Sequence, residues 1–118
     1  MASEYTIYHN PRCSKSRKTL ELLQQAGVEP DIVQYLETPP TTAELESILS
    51  KLGREPRELM RTKEAVFGEL GLDDESLSRE KLLAVMTQNP ILIERPIVIK
   101  GDVAVIGRPP ENVLALID

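Results

Sequence analysis

The sequence predicts an α/β fold in which a four-stranded mixed sheet is assembled from two separate halves of the chain. Residues 5–36 show a strand pattern, a helix pattern and a second strand pattern in succession. Residues 97–106 hold two short β-branched runs on either side of Gly101-Asp102, a dipeptide typical of a two-residue hairpin turn. The segment between these halves, at about 41–90, has helical periodicity.

The first half predicts a βαβ unit. Residues 5–8 are β-branched and aromatic, as in a short strand, and Asn10-Pro11 marks a turn. Apolar residues then recur at helical spacing until Gly27, which predicts a helix that begins at or just after Cys13. Residues 31–36 predict a second strand, and a right-handed crossover would make the two strands a parallel pair.

The middle of the chain predicts three or so helices. Thr41 and Glu44 have capping-box spacing, and the apolar face that follows continues to Gly53. Pro56 suits the first turn of a helix that would run to about Lys63. We expect a short helix around 65–70 and a longer one from about 78 to 88.

The last third predicts a ββα unit. Strands at 97–99 and 103–106 are followed by Pro109-Pro110, and the spacing of the apolar residues after it predicts a final helix. The order of elements is that of a thioredoxin-like fold, in which a cis-proline precedes the third strand, where Pro96 stands. We therefore expect one domain over residues 1–118, with a helical insertion at about 41–90 between the βαβ and ββα halves.

Composition excludes several classes of function. The net charge of −5 argues against general nucleic-acid binding, and no apolar run approaches the roughly 20 residues that span a bilayer. The N-terminal residues lack the pattern of a signal peptide. A single cysteine without an export signal indicates the reducing cytoplasm. One cysteine and one histidine also form no metal-binding cluster, so we expect neither a metal nor a bound cofactor.

Cys13 is the candidate nucleophile. A lone cysteine is usually a small buried hydrophobe, but the cations around this one do not suit an apolar slot. They and the N-terminus of the following helix would favour the reactive thiolate. The sequence lacks C-x5-R, because Thr19 is the sixth residue after the cysteine, and it has C-x-x-S where dithiol enzymes have C-x-x-C. Redox chemistry would need a thiol from another molecule.

The segment Ile7-Tyr8-His9-Asn10-Pro11-x-Cys13-x-x-Ser16-Arg17-x-Thr19-Leu20 resembles the active-site segment of glutaredoxin-coupled arsenate reductases, the ArsC family. The resemblance continues in order through Tyr35–Pro40, Glu58–Arg61, Asn89–Val98 and Gly107–Pro109, and so covers almost the whole chain. It implies that the chain reduces arsenate, or a related oxyanion, to arsenite. Glutathione would serve as co-substrate and glutaredoxin as protein partner.

The resemblance also assigns roles to particular residues. Cys13 matches the catalytic nucleophile, and three arginines match those around the arsenic centre: Arg61, Arg95 and Arg108. His9 matches a histidine associated with thiolate activation, although a plain turn residue is an equal alternative. Ser16 could donate its hydroxyl to the thiolate or be an ordinary first-turn residue, and Arg17 is a further cation beside it.

Two other functions remain open at this stage. One is a non-catalytic regulator that binds RNA polymerase, as in the related Spx-like proteins, which commonly carry C-x-x-C. Ser16 in place of the second cysteine favours the reductase. The other is a different glutathione-dependent thiol-transfer activity.

Overall fold

The computed structural model describes residues 3–117, which fall into two compact units. The first unit combines the chain up to Thr38 with the chain from Arg95 onward, and the second is Pro39–Glu94. The second unit contains the segment predicted as a helical insertion. Single-domain organisation stays a prediction, and each unit is described separately below.

The first unit is built on a four-stranded mixed sheet, as predicted. Its elements are the strands β1 (Tyr5–Tyr8), β2 (Asp31–Val33), β3 (Ile97–Lys100) and β4 (Val103–Ile106) and the helix α1 (Ser14–Gln25). The strand order is β2-β1-β3-β4, with β1 and β2 parallel and the other two pairs antiparallel. Ile7 of β1 lies opposite Ile32 on one side and Val98 on the other. The predicted βαβ and ββα halves therefore meet where β1 pairs with β3.

The core of the first unit lies between the sheet, α1 and a C-terminal 3-10 helix, Pro110–Leu116. Its buried side chains come from all of these elements: Tyr5, Ile7, Leu23, Val98, Val113 and Leu116. Full burial of an aliphatic side chain contributes about 1.5–3 kcal/mol. The hydroxyl of Tyr5 donates to the carbonyl oxygen of Leu116 at 3.1 Å, which ties the last helix to the first strand.

The second unit is helical. It contains α2 (Thr42–Leu52), α3 (Ala65–Glu69) and α4 (Arg79–Gln88), with 3-10 helices at Pro56–Leu59 and Pro90–Leu92. The capping box at the start of α2 is confirmed, because Thr41 and Glu44 each accept from the other's backbone N–H. α2 packs against α4 through its buried apolar face.

The structure corrects three element predictions. The strand expected at 31–36 ends at Val33, because the N–H groups of Glu37 and Thr38 bond to the carbonyl of Gln34 in a turn. The helix expected from Pro56 to about Lys63 ends at Leu59, since Met60 forms a β-bridge with Ile93.

The third correction is that the final helix is a 3-10 helix that begins at Pro110. The cis peptide bond expected at Pro96 is present, and Arg108–Pro109 is a second one that the sequence did not indicate. Over the described residues, none of the helices is both long enough and apolar enough to cross a membrane.

Candidate active site

A short, tightly bonded loop connects β1 to α1 in the first unit. The backbone N–H of His9 donates to the carbonyl of Val33 in β2 at 2.8 Å, which extends the parallel pairing beyond β1. The side-chain oxygen of Asn10 accepts from the N–H of Arg12, and its carbonyl accepts from the N–H of Cys13, both at 3.0 Å. These bonds fix the backbone that leads into the cysteine.

Cys13 is the N-cap residue of α1 and is half-buried. Its carbonyl accepts the first helical hydrogen bond, from Arg17 at 3.0 Å, while its own backbone is extended. The thiol therefore lies where the unpaired N–H groups of the first helical turn point, a position that favours negative charge. The prediction that the helix begins just after Cys13 is confirmed.

Two arginines from the other half of the first unit surround the sulfur. The Nη2 atom of Arg108 lies 3.6 Å from Cys13 Sγ, and its Nε atom donates to the carbonyl oxygen of Arg95 at 2.7 Å. The side chain of Arg95 also hydrogen-bonds to the thiolate. The structure thus brings together three of the predicted site residues, although Arg108 follows Cys13 by 95 positions.

The pKa of the Cys13 thiol is lowered. Desolvation by partial burial acts to raise it, but the groups around the sulfur outweigh that effect. They are the backbone N–H of Ser16, the hydrogen bond from Arg95, the backbone N–H of Lys15 and the positive charge of Arg95. A lowered pKa increases the fraction of thiolate, the nucleophilic form, at neutral pH.

His9 and Ser16 form a buried pair behind the loop. His9 Nδ1 lies 2.6 Å from Ser16 Oγ, and the same oxygen accepts from the backbone N–H of Asn10 at 3.0 Å. The serine hydroxyl therefore bonds to His9 and Asn10, and it is the Ser16 backbone N–H that donates to Cys13. Burial, followed by the charge of Arg17, lowers the pKa of His9, which fits a neutral ring that accepts at Nδ1.

Arg17 has a local contact of its own, since its Nη1 atom donates to the carbonyl oxygen of Pro11 at 2.9 Å. These side-chain hydrogen bonds of His9, Ser16 and Arg17 are made with the loop and not with the sulfur. Their roles in supporting the thiolate stay predictions.

Two residues to which the sequence assigned no role, Gly107 and Asn112, hold Arg108 in place. A Cβ atom on Gly107 would lie 2.5 Å from Thr19 Oγ1 and 2.8 Å from Pro96 Cγ, so the chain passes α1 and the cis-proline without room for a side chain. The Asn112 side-chain amide donates to the carbonyls of Ile106 and Arg108, both at 3.1 Å. In the sequence, only the resemblance of Gly107-Arg108-Pro109 to the family pattern pointed to this part of the site.

Arg61 belongs to the second unit, where two carboxylates bind it. Its Nε atom donates to Glu64 at 3.1 Å, and its Nη1 atom donates to Glu94 at 2.7 Å. Desolvation by burial acts to lower the pKa of Arg61, but the two carboxylates together outweigh it and raise the pKa, so the guanidinium stays charged. The backbone N–H of Arg61 bonds to the carbonyl of Leu92 at 2.7 Å, beside the Met60–Ile93 bridge.

The side chains of residues 3–117 form no cluster of the kind that binds metal ions in proteins. Within that range, no group of three or more His, Cys, Asp or Glu side chains is arranged to hold a metal ion. The chemistry that the site can support is that of a thiolate beside donors for an anion.

Comparison with known proteins agrees with this arrangement. The chain is 55% identical over 118 residues to "Uncharacterized protein YfgD" of Escherichia coli K12, covering 99% of both chains. It is 50% identical over 112 residues to an arsenate reductase of Haemophilus influenzae, covering 94% of this chain and 97% of that one. The solved structure of an arsenate reductase from Vibrio cholerae matches with a TM-score of 0.93 at 49% identity, covering 98% of each chain.

The sequence model described as the ArsC family matches residues 8–116, which include Cys13 and all three predicted oxyanion-binding arginines. The match extends over both units and over nearly the whole chain, as the resemblance in the sequence implied. The chain belongs to the ArsC family.

Proposed function

We propose that this protein is an arsenate reductase in which Cys13 is the nucleophile and glutathione and glutaredoxin supply the electrons. The observation that carries the proposal is the set of donors around one sulfur atom. Two backbone N–H groups and the guanidinium of Arg95 bond to the Cys13 thiolate, and Arg108 Nη2 lies 3.6 Å from it. Groups that stabilise a thiolate also suit the oxygens of a tetrahedral anion that it attacks.

The first step is nucleophilic attack on arsenic. The Cys13 thiolate forms an S–As bond, and one arsenate oxygen leaves as water after protonation, so the adduct is still As(V). Arg95 and Arg108 neutralise the charge on the remaining oxygens. Their planar, forked donors match an oxyanion better than a single ammonium would.

Glutathione supplies the thiol that this sequence lacks. Its sulfur replaces a second arsenic-bound oxygen, which leaves as water, and the arsenic then carries both sulfur atoms. A glutaredoxin thiolate attacks the glutathione sulfur and forms a mixed disulfide, and the electron pair of the broken S–As bond reduces arsenic to As(III). Hydrolysis of the remaining S–As bond releases arsenite and regenerates Cys13. The reducing cytoplasm is the compartment that maintains such thiols.

A coupled assay tests the proposal. Purified protein is incubated with arsenate, glutathione, glutaredoxin, glutathione reductase and NADPH, and the loss of NADPH is followed. We expect turnover that disappears in Cys13→Ser. Wild-type turnover no greater than that of Cys13→Ser would refute the proposal for this substrate.

Arg108→Lys tests the forked donor in the same assay. Loss of a charge-assisted hydrogen bond costs about 1.5–3 kcal/mol, which predicts a loss of about tenfold to hundredfold in kcat/KM. The matched control is Arg54→Lys, an exposed arginine of the second unit that pairs with Glu58. It is expected to have little effect, so an equal loss in both variants would contradict the role of Arg108.

A further inference from the structure

A groove lies on the β2 side of the loop that carries Cys13, entirely within the first unit. It has a volume of about 240 Å³ and is lined by His9, Asn10, Pro11, Arg12, Gln34, Leu36 and Glu37. One wall is the loop before the cysteine, and the other is the turn that follows β2. The 2.8 Å bond from the His9 N–H to the Val33 carbonyl joins the two walls.

Both walls are held by hydrogen bonds from their own backbone N–H groups. Asn10 accepts from the N–H of Arg12 through its side chain, and the Gln34 carbonyl accepts from the N–H groups of Glu37 and Thr38. The groove is therefore formed before any ligand binds, so a ligand need not supply the free energy of ordering these segments.

The lining carries one charge of each sign on an otherwise uncharged surface. Arg12 provides a guanidinium on the loop wall, and Glu37 provides a carboxylate on the turn wall. Leu36, which is 40% exposed, adds an apolar surface to the same groove. A partner that carries an ammonium and a carboxylate on one carbon, joined to a short aliphatic chain, matches this combination.

We propose that this groove binds the γ-glutamyl residue of glutathione, with its α-carboxylate at Arg12 and its α-ammonium at Glu37. The inference rests on the proposed use of glutathione at Cys13. Arg12 directly precedes the reacting cysteine, about 3.8 Å away between Cα atoms, and the γ-glutamyl residue directly precedes the reacting cysteine of glutathione. The volume suits one arm of the tripeptide, because sites for whole small molecules are usually about 300–1,000 Å³.

The groove can be tested without arsenate, through thiol–disulfide exchange. The Cys13 thiolate attacks one sulfur of glutathione disulfide, a new S–S bond forms, the old S–S bond breaks, and glutathione thiolate leaves. The rate of formation of the mixed disulfide is measured by mass spectrometry against disulfide concentration. Bis(2-hydroxyethyl) disulfide, which undergoes the same exchange but has no charged groups, is the comparison compound.

The variants are Glu37→Gln and Arg12→Gln, and both replaced side chains are exposed. We expect the wild-type rate to saturate with glutathione disulfide and each variant to need about 1.4-fold to fivefold more of it, since an exposed ion pair contributes about 0.2–1 kcal/mol. The rate with the uncharged disulfide measures any change in the reactivity of Cys13 itself, since Arg12 is also one of the cations beside the thiol. The groove is therefore judged by the ratio of the two rates, in which the preference for glutathione disulfide should fall in both variants. Glu29→Gln and Lys18→Gln, exposed charges of the same unit that do not line the groove, should leave the ratio of the two rates unchanged.

The possible results distinguish a failure of the groove assignment from a failure of the proposed arsenate reductase activity. Equal ratios in wild type, Glu37→Gln and Arg12→Gln, or a wild-type rate that rises without saturation, would overturn the groove assignment even if arsenate is reduced. An intact preference for glutathione disulfide without arsenate turnover would overturn the proposed function and leave the groove assignment standing.

Discussion

Gly107→Ala probes a close approach of the backbone to neighbouring side chains in the first unit. The added methyl group would lie 2.5 Å from Thr19 Oγ1, 2.8 Å from Pro96 Cγ and 3.2 Å from Thr19 Cγ2. Favourable contacts between carbon atoms are about 3.5–4.0 Å, so neighbouring atoms must move by up to about 1 Å. Thr19 is buried and donates to the Lys15 carbonyl at 2.8 Å, which limits its movement.

The expected cost follows from two opposing effects. Overpacking costs about 1–3 kcal/mol, whereas loss of glycine flexibility in the unfolded chain stabilises by about 0.4–1 kcal/mol. We therefore expect Gly107→Ala to lower the free energy of unfolding by up to about 2.6 kcal/mol. Because Arg108 is the next residue, the same variant should also slow alkylation of Cys13.

The measurement is urea unfolding followed by far-UV circular dichroism. Gly68→Ala is the matched control, since Gly68 lies within α3 with nothing within 4 Å of an added Cβ atom. It should stabilise by about 0.5–1 kcal/mol. In Thr19→Ala/Gly107→Ala, two of the three close contacts are removed, and the cost of the glycine substitution should fall. Equal stability of Gly107→Ala and Gly68→Ala would refute the reasoning.

Three further predictions concern the charged groups of the two units. Arg95→Gln removes a hydrogen bond to the thiolate and a positive charge beside it, so the pKa of Cys13 should rise. The measurement is the pH midpoint of Cys13 alkylation by iodoacetamide, and an unchanged midpoint would contradict the role of Arg95. Burial lowers the pKa of His9, so the unfolded chain binds more protons, and stability should fall as the pH falls through about 6.5. His9→Gln should show a smaller loss between about pH 7.5 and 5.5 in urea unfolding, and an equal loss would argue against His9 as its source. Glu94→Gln should lower the KM for arsenate about threefold at saturating glutathione.

Local signals in the sequence predict much of the first unit. The β-branched run of β1, the start of α1 just after Cys13 and the Gly101-Asp102 hairpin are each encoded within a few residues. The end of β2 at Val33 is set instead by the turn of the following residues. The end of the 3-10 helix at Leu59 depends on a bridge between Met60 and a residue 33 positions later, and no local pattern encodes that.

The active site likewise contains some residues that the local sequence indicates and others whose role depends on the fold. Cys13 is visible from its cationic neighbours, whereas Arg95 and Arg108 became candidates only through the resemblance to a family. The steric reason for Gly107 is its approach to Thr19 and Pro96, which depends on the fold. The amide of Asn112 is hidden for the same reason, because its partners are carbonyls whose positions follow from the turn after β4.

Glu94→Gln tests whether Arg61 binds the anion, because Glu94 is one of the two carboxylates that pair with Arg61. The two ion pairs of Arg61 use two of the five guanidinium donors, so three can serve another acceptor. The two carboxylates of these pairs, Glu64 and Glu94, lie directly beside those donors. An oxyanion that binds Arg61 must therefore approach two carboxylates. The glutamine side chain introduced by Glu94→Gln would keep an oxygen that accepts from Nη1 and so would keep the orientation of Arg61, while the substitution removes one negative charge. If orientation is preserved, arsenate should bind more tightly, and the gain should shrink as salt screens the cluster. A higher KM in Glu94→Gln would show that the full ion pair is needed to position Arg61, and an unchanged KM would argue that Arg61 does not bind the anion.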